Sequence, residues 1–162
     1  MPAQTRCHRL DALLGRFGKG GSWMPELPDD IYSEARRWLG NVEDDLHAMR
    51  AVARDRESPA RMACFLAHLV VETALKATLI DAGVPFKNTH DLVALHDSCV
   101  ELGRLVGLDR KLLAWCNPWA VGGCYADDLA DADVELTNRL AGLAEQVVAD
   151  VQRELGAESG RQ

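Results

Sequence analysis

The sequence predicts an all-α protein, an antiparallel bundle of four main helices with one short extra helix. Three observations support this class. Apolar residues recur at helical spacing in four long segments, and Pro, Gly, Ser, Thr and Asp stand where those segments should begin or end. No segment shows the alternating apolar and polar pattern of a strand. The chain has 162 residues, of which 48% are hydrophobic, so we expect one domain with a substantial core.

The bundle should occupy residues 29–155, with a flexible basic leader over 1–28 and a frayed tail over 156–162. The leader contains "GRFGKGGSWMPELP", whose glycines and prolines disfavour regular structure. Residues 1–24 carry a net charge of +3, whereas the whole chain carries -7. A basic segment on an acidic body could contact nucleic acid or an acidic partner, or it could simply be an unstructured leader.

The first predicted helix begins at Asp29 or Asp30, both of which are good N-caps, and runs to about Arg56. It has one apolar stripe, formed by Ile31, Ala35, Trp38, Leu39, Val42, Leu46, Met49 and Val52.

The second predicted helix should lie in the middle of the bundle. Ser58 is the expected N-cap, Pro59 the first helical residue, and Gly83 the residue that ends the helix. The segment "MACFLAHLVVETALKATLI" is apolar almost all round, which is typical of a helix that is covered on every side. Its polar residues are spaced by four and share one face, so we expect a structural polar stripe of His68, Glu72 and Lys76.

Three further helices complete the prediction. Thr89 should cap the third, which covers about His90 to Val106, and a short fourth helix should begin near Asp109. The last long helix is expected over about Asp131 to Leu155. The stretch "CNPWAVGGCYADD", residues 116–128, connects the short helix to the last one, and its glycines and proline favour a turn.

The second helix and the turn after it resemble the HEPN domain (higher eukaryotes and prokaryotes nucleotide-binding) of bacterial type. Residues 63–95, "ACFLAHLVVETALKATLIDAGVPFKNTHDLVAL", are similar to the family pattern ACFxAxQxxEKALKAxL followed by GxxxxxTHDL. The segment "ARRWLGNVEDDLHAMRAV" looks like the first helix of the family. The resemblance covers about residues 30–155 and implies a compact helical bundle, often a homodimer.

The resemblance implies two classes of function. Many members are metal-independent ribonucleases with an Arg followed four to six residues later by His, near the start of the last long helix. Others are inactive: they bind nucleotides or partner proteins, or accompany a minimal nucleotidyltransferase in toxin–antitoxin pairs. Here Cys124 stands at the arginine position, and no His follows it. Because such a ribonuclease needs a His to move the proton and a cation to stabilise the phosphorane, we expect a non-catalytic member that binds a nucleotide, RNA or a partner protein.

The expected ligand-binding residues are one histidine and three aromatic residues. His90 in the THDL turn could contact a ligand, or it could fix the turn through hydrogen bonds. Trp115 and Trp119 lie on either side of Pro118 and could line a pocket with Tyr125.

Two alternatives stay open. The first is an active ribonuclease that uses Arg61 and His68, the one Arg-x6-His pair of the chain, although this pair lies on the second helix. His68 could instead be hydrogen-bonded inside the bundle, near Glu72 and Lys76. The second alternative is a structural subunit of a larger assembly.

We expect no cofactor and no metal. The five cysteines lie at positions 7, 64, 99, 116 and 124 and form no CxxC pair, so a zinc site lacks the usual short spacings. The acidic run around Asp128 is explained by a lead-in to the last helix. No apolar, charge-free run of about 18 residues and no signal-like start are present, so we expect a cytoplasmic protein with free thiols and no membrane span.

Overall fold

The computed structural model describes residues 22–23, 31–122 and 132–159. Its elements, in chain order, are β1 (Ser22–Trp23), α1 (Ile31–Arg54), α2 (Ala60–Asp81), β2 (Phe86–Lys87), α3 (Leu92–Glu101), α4 (Arg110–Cys116), α5 (Trp119–Gly122) and α6 (Val134–Ser159). The all-α class and the bundle of four main helices, α1, α2, α3 and α6, are therefore confirmed.

Helix α2 is the centre of the bundle. By length and composition it could cross a membrane, since its most apolar window has a mean hydropathy of 1.6, yet 78% of that window is buried inside the protein. The helices that cover it most extensively are α1 and α6. They contribute the apolar stripes predicted from the sequence, and the buried residues of these stripes include Ala35, Val42, Leu46, Met49, Leu140, Leu143, Val147 and Val151. The hydropathy of α2 thus reflects its position in the core.

The end of α2 follows the prediction, but its start does not. Gly83 has a φ of 64°, and its amide and that of Val84 donate to the carbonyls of Ile80 and Leu79, which closes the helix in a Schellman motif. At the start, the side chain of Ser58 donates to Asp55 and makes no cap, and Pro59 is the N-cap residue. The prediction of a Ser58 cap was therefore wrong.

Helix α3 is shorter than predicted at both ends. Thr89 accepts from the amide of Asp91, and Asp91 itself caps the helix by accepting from the amides of Val93 and Ala94. The helix ends at Glu101 because Gly103, with a φ of 71°, forms a second Schellman motif.

The loop after α3 contains a non-glycine residue with a positive φ. Leu105 has a φ of 52° and is buried. Its amide donates to Glu154 Oε1 at 3.0 Å, and its carbonyl oxygen lies 2.9 Å from His96 Nε2. Two side chains from different helices therefore hold Leu105 in a conformation that is unfavourable for a leucine.

Three further differences concern the ends and connections. The two-residue strands β1 and β2 are additional to the predicted helices and pair antiparallel, with Ser22 opposite Lys87 and Trp23 opposite Phe86. Two-residue strands are too short to leave an alternating pattern. Helix α5 adds a second short helix. Helix α6 begins at Val134, later than the expected start near Asp131, and ends at Ser159, beyond the expected end near Leu155. The caps expected at residues 29–30 lie outside the described residues, as does the rest of the leader apart from β1.

Candidate functional site

A buried carboxylate organises one group of polar side chains, which we call the Glu72 cluster: Glu72, His68, Lys76 and His90. Lys76 Nζ donates to Glu72 Oε1 at 2.6 Å, and His68 Nε2 lies 3.1 Å from Glu72 Oε2. His90 Nδ1 lies 3.0 and 3.1 Å from the two carboxylate oxygens. The structure thus brings together the polar stripe expected on α2, and adds a residue from the turn before α3.

Charge in the Glu72 cluster favours the ionised carboxylate. Burial by itself would raise the pKa of Glu72, but hydrogen bonds from His68 and His90 and the charge and hydrogen bond of Lys76 together hold this pKa well below its usual value. The same contact with Glu72 raises the pKa of His90 above 6.5. Lys76 is only 3% exposed and its ammonium lies 5.9 Å from the centre of the Phe86 ring, so Glu72 is its main compensating charge.

The two ring nitrogens of His68 both face acceptors. Nδ1 lies 3.1 Å from the carbonyl oxygen of Cys116, and Nε2 faces the Glu72 carboxylate. The ring is 2% exposed, whereas Arg61 on the same helix is exposed. The proposed catalytic pair thus consists of a surface arginine and a histidine that is enclosed in the bundle.

His90 is the member of the Glu72 cluster that reaches the surface. Its side chain is 56% exposed, and its Nε2 has no hydrogen-bond partner among the described residues. Its Nδ1 fixes the THDL turn to α2, which is the hydrogen-bonding role considered for it. Asn117 secures the same turn from α4: its Oδ1 accepts from the Leu92 amide at 2.8 Å and its Nδ2 donates to Asp91 at 2.8 Å.

A second group of side chains lies on the surface between α4 and α6, and we call it the Trp115 surface: Trp115, Lys111, Arg139 and Glu135. Trp115 is 41% exposed. The ammonium of Lys111 lies 5.2 Å from the centre of the Trp115 ring system, and the guanidinium carbon of Arg139 lies 4.7 Å from it, so both make cation–π contacts. Around them is an open depression of about 230 Å³, lined by Trp115, Asp133, Glu135, Leu136 and Arg139.

Comparison with known proteins gives the family. The protein-family model described as "HEPN domain" matches residues 35–154 of the sequence. The chain belongs to the HEPN family. This is a family of nucleotide-binding and ribonuclease-type domains. The crystal structure of an archaeal HEPN homologue is similar to this HEPN chain with a TM-score of 0.56 and 17% identity, over 75% of this chain and 97% of that one, which is a likeness of fold. No curated protein matches the chain.

The two predicted ligand tryptophans of this HEPN protein are not brought together. Trp119 begins α5 and is 4% exposed, packed in the core, so it does not share the surface depression of Trp115. Tyr125 and Cys124 lie outside the described residues.

The thiols of the described residues are unsuited to nucleophilic chemistry. Burial raises the pKa of both Cys116 and Cys99 to about 12, so neither forms a thiolate near neutral pH. Within residues 22–23, 31–122 and 132–159, no group of three His, Cys, Asp or Glu side chains is placed to hold a metal ion.

Sequence reasoning missed three features of these sites. The i,i+4 spacing indicated the stripe on α2, but nothing in the sequence indicated that His90 joins it. The sequence also did not show that Asn117 ties the THDL turn to α4. Arg139 was not considered as a partner of Trp115, although the enrichment of cations near tryptophan could have suggested one.

Proposed function

We propose that this HEPN protein binds a phosphate-bearing ligand, a nucleotide or RNA, and does not cleave it. The observation that supports binding is the Trp115 surface, in which a partly exposed indole lies against two cations. An indole face stacks with any nucleobase, and cations beside it attract the phosphate; this combination is typical of proteins that bind single-stranded nucleic acid.

The side-chain N–H groups of the two cations in the Trp115 surface are available to a ligand. Neither Lys111 nor Arg139 has a side-chain hydrogen bond or an ion pair with another described residue; their contacts are with the Trp115 ring. A planar guanidinium can bind phosphate through two parallel hydrogen bonds. A ligand can therefore gain these contacts without breaking an existing ion pair in this part of the chain.

The placement of the histidines supports binding without cleavage. Helix α6 contains no His, although the resemblance implies that ribonucleases of the family carry one near the start of their last helix. His68 is enclosed, and each of its ring nitrogens lies within hydrogen-bond distance of a protein acceptor, so it cannot reach a phosphodiester without a change of packing. His90 is accessible but contacts no arginine among the described residues, so it lacks the cation that the family's chemistry pairs with its histidine.

Binding is tested by titrating the full chain with nucleoside monophosphates and with short RNA oligonucleotides in low salt. Replacing Trp115 by Ala should weaken binding by about 1–3 kcal/mol, or roughly 5- to 150-fold, which is the range for base stacking. Arg139→Gln should also weaken binding and make it less dependent on salt. Arg54→Gln removes the same charge from an exposed position of α1 and serves as the matched control. If no nucleotide or RNA binds, the proposal is wrong.

Cleavage is tested by incubating labelled RNA with the protein in a metal chelator. We expect intact RNA. Metal-independent cleavage that disappears in Arg61→Ala would establish the ribonuclease alternative instead. The exposed arginine is the better variant for this purpose, because replacing the buried His68 could abolish activity through unfolding.

The resemblance extends the proposal to assembly. We infer a homodimer, and a minimal nucleotidyltransferase as a second partner, as in toxin–antitoxin pairs, acting in the cytoplasm. Light scattering on the purified chain should give about twice the chain mass of 17.8 kDa. A monomer at micromolar concentration would contradict the inferred dimer and would leave the binding proposal unaffected.

A further inference from the structure

We propose that the base bound at the Trp115 surface is guanine, and that the carboxylate of Glu135 recognises it. This inference rests on the proposed function, because it names the base of that same ligand. It follows from a carboxylate and a guanidinium that lie on one helix and do not pair with each other.

Glu135 and Arg139 are four residues apart on α6, a spacing at which opposite charges can form an ion pair. In this structure Arg139 lies over the Trp115 ring instead. Glu135 is exposed, lines the depression beside Trp115, and has no hydrogen bond or ion pair with the parts of the chain that the structure describes. The depression is therefore lined by a carboxylate that has no partner among the described residues and by an aromatic ring that contacts two cations.

The second carboxylate of the depression is already engaged. Asp133 Oδ1 accepts from the amide of Leu136 at 2.7 Å, at the start of α6. An acid in this position stabilises the helix by satisfying a free amide and by its interaction with the helix dipole. Glu135 is thus the carboxylate that remains available to a ligand.

An ionised carboxylate only accepts hydrogen bonds, and it has two oxygens side by side. Its best partner is a group with two adjacent N–H donors. Guanine offers this pair on its Watson–Crick edge, through N1–H and the N2 amine. Adenine and cytosine place a ring-nitrogen acceptor beside their amine, and uracil places a carbonyl on each side of its N–H, so each of these bases opposes one carboxylate oxygen with an acceptor.

The surrounding groups suit the rest of a guanine nucleotide. A base can stack on the indole if it displaces the cation that lies over that face, and Arg139 and Lys111, which have unused donors, can then bind phosphate oxygens. Free guanine nucleotides and RNA with an accessible guanine share this chemistry.

The experiment compares GMP, IMP, AMP, UMP and CMP by calorimetry on the full chain. We expect GMP to bind at least tenfold more tightly than AMP, with IMP between them because it keeps N1–H and lacks the N2 amine. Glu135→Gln should remove the preference for GMP and leave AMP binding unchanged. Glu101→Gln, the same charge change at an exposed residue of α3, should have no effect on either ligand.

The outcomes separate the two proposals. Equal binding of GMP and AMP, unaffected by Glu135→Gln, would overturn guanine recognition and leave the proposed function in place. Failure of every nucleotide and oligonucleotide to bind would overturn the proposed function, and guanine recognition with it. A parallel titration with the oligonucleotides UGUU and UAUU identifies the source of the guanine: a preference for UGUU without binding of GMP indicates RNA, and tight binding of GMP indicates a free nucleotide.

Discussion

Replacing Glu72 by Gln is expected to destabilise the protein far more than the same change on the surface. The variant keeps the shape of the side chain and removes the negative charge that faces Lys76, His68 and His90. Lys76 and His68 are buried, so the ammonium loses its anion and the imidazole loses a carboxylate contact in an environment where water cannot replace them. His90 is exposed and can be hydrated instead.

The magnitude follows from the burial of Lys76. Removing one partner of a buried ion pair costs about 3–5 kcal/mol, and the exposed His90 adds little. The Gln carbonyl keeps one acceptor, so we expect the lower end, about 3 kcal/mol. With a slope of about 2 kcal/mol per M for urea, the midpoint of unfolding should fall by about 1.5 M. Urea titration followed by circular dichroism at 222 nm measures this shift.

The control is Glu145→Gln. Glu145 accepts from Arg50 at 2.7 Å, but these side chains are 47% and 43% exposed, so the loss should stay below about 1 kcal/mol. A second control is the double variant Glu72→Leu with Lys76→Met, which removes both charges and should be more stable than Glu72→Gln. If Glu72→Gln costs no more than Glu145→Gln, the carboxylate does not stabilise the core and the reasoning is refuted.

Three further outcomes can be checked by the same unfolding assay. Because the pKa of His90 is raised in the folded protein, the stability that its contact with Glu72 contributes should be full below pH 6.5 and lost as pH rises through the folded pKa. His90→Gln should therefore lower the free energy of unfolding more at pH 5.5 than at pH 8.5. An equal loss at both pH values would contradict this. Gly103→Ala should cost about 1–2 kcal/mol through its positive φ alone, since the added methyl meets no atom within 4 Å, whereas Gly107→Ala should be neutral or slightly stabilising. Glu154→Ala should cost about 1–3 kcal/mol because the buried Leu105 amide loses its acceptor, and a loss under about 0.5 kcal/mol would show that the loop relaxes freely.

Much of the bundle could be predicted because its signals are local. The apolar stripes of α1 and α6, the nearly uniform hydropathy of α2 and the glycine that ends α2 are properties of consecutive residues. Cap positions were harder to predict, because several residues near the start of a helix can accept a hydrogen bond from a backbone amide. Thr89 and Asp91 both do so, and only the path of the turn decides that Asp91 caps α3.

The candidate sites could be predicted only where their residues share a helix. The spacing of His68, Glu72 and Lys76 places them on one face of α2. Their contact with His90 depends on how the turn after α2 folds back, which spacing does not give. The same holds for Arg139, which reaches its indole from a different helix.

The two tryptophans around Pro118 show a related limit. They are four residues apart, and the turn between α4 and α5 sends Trp119 into the core while Trp115 stays at the surface. The sequence suggested that the two tryptophans share a pocket because it does not show that the chain changes direction at this turn. A proline-containing turn breaks the periodicity on which such a pairing depends.

The central position of α2 sets the order in which this chain can be assembled during synthesis. Its main covering helices lie on both sides of it in the sequence, α1 before it and α6 from Val134 onward. When a ribosome has released α1 and α2, one side of the most apolar helix still lacks its cover, and that side stays open to water, chaperones or other nascent chains until α6 emerges. Folding to the finished core must therefore wait for α6.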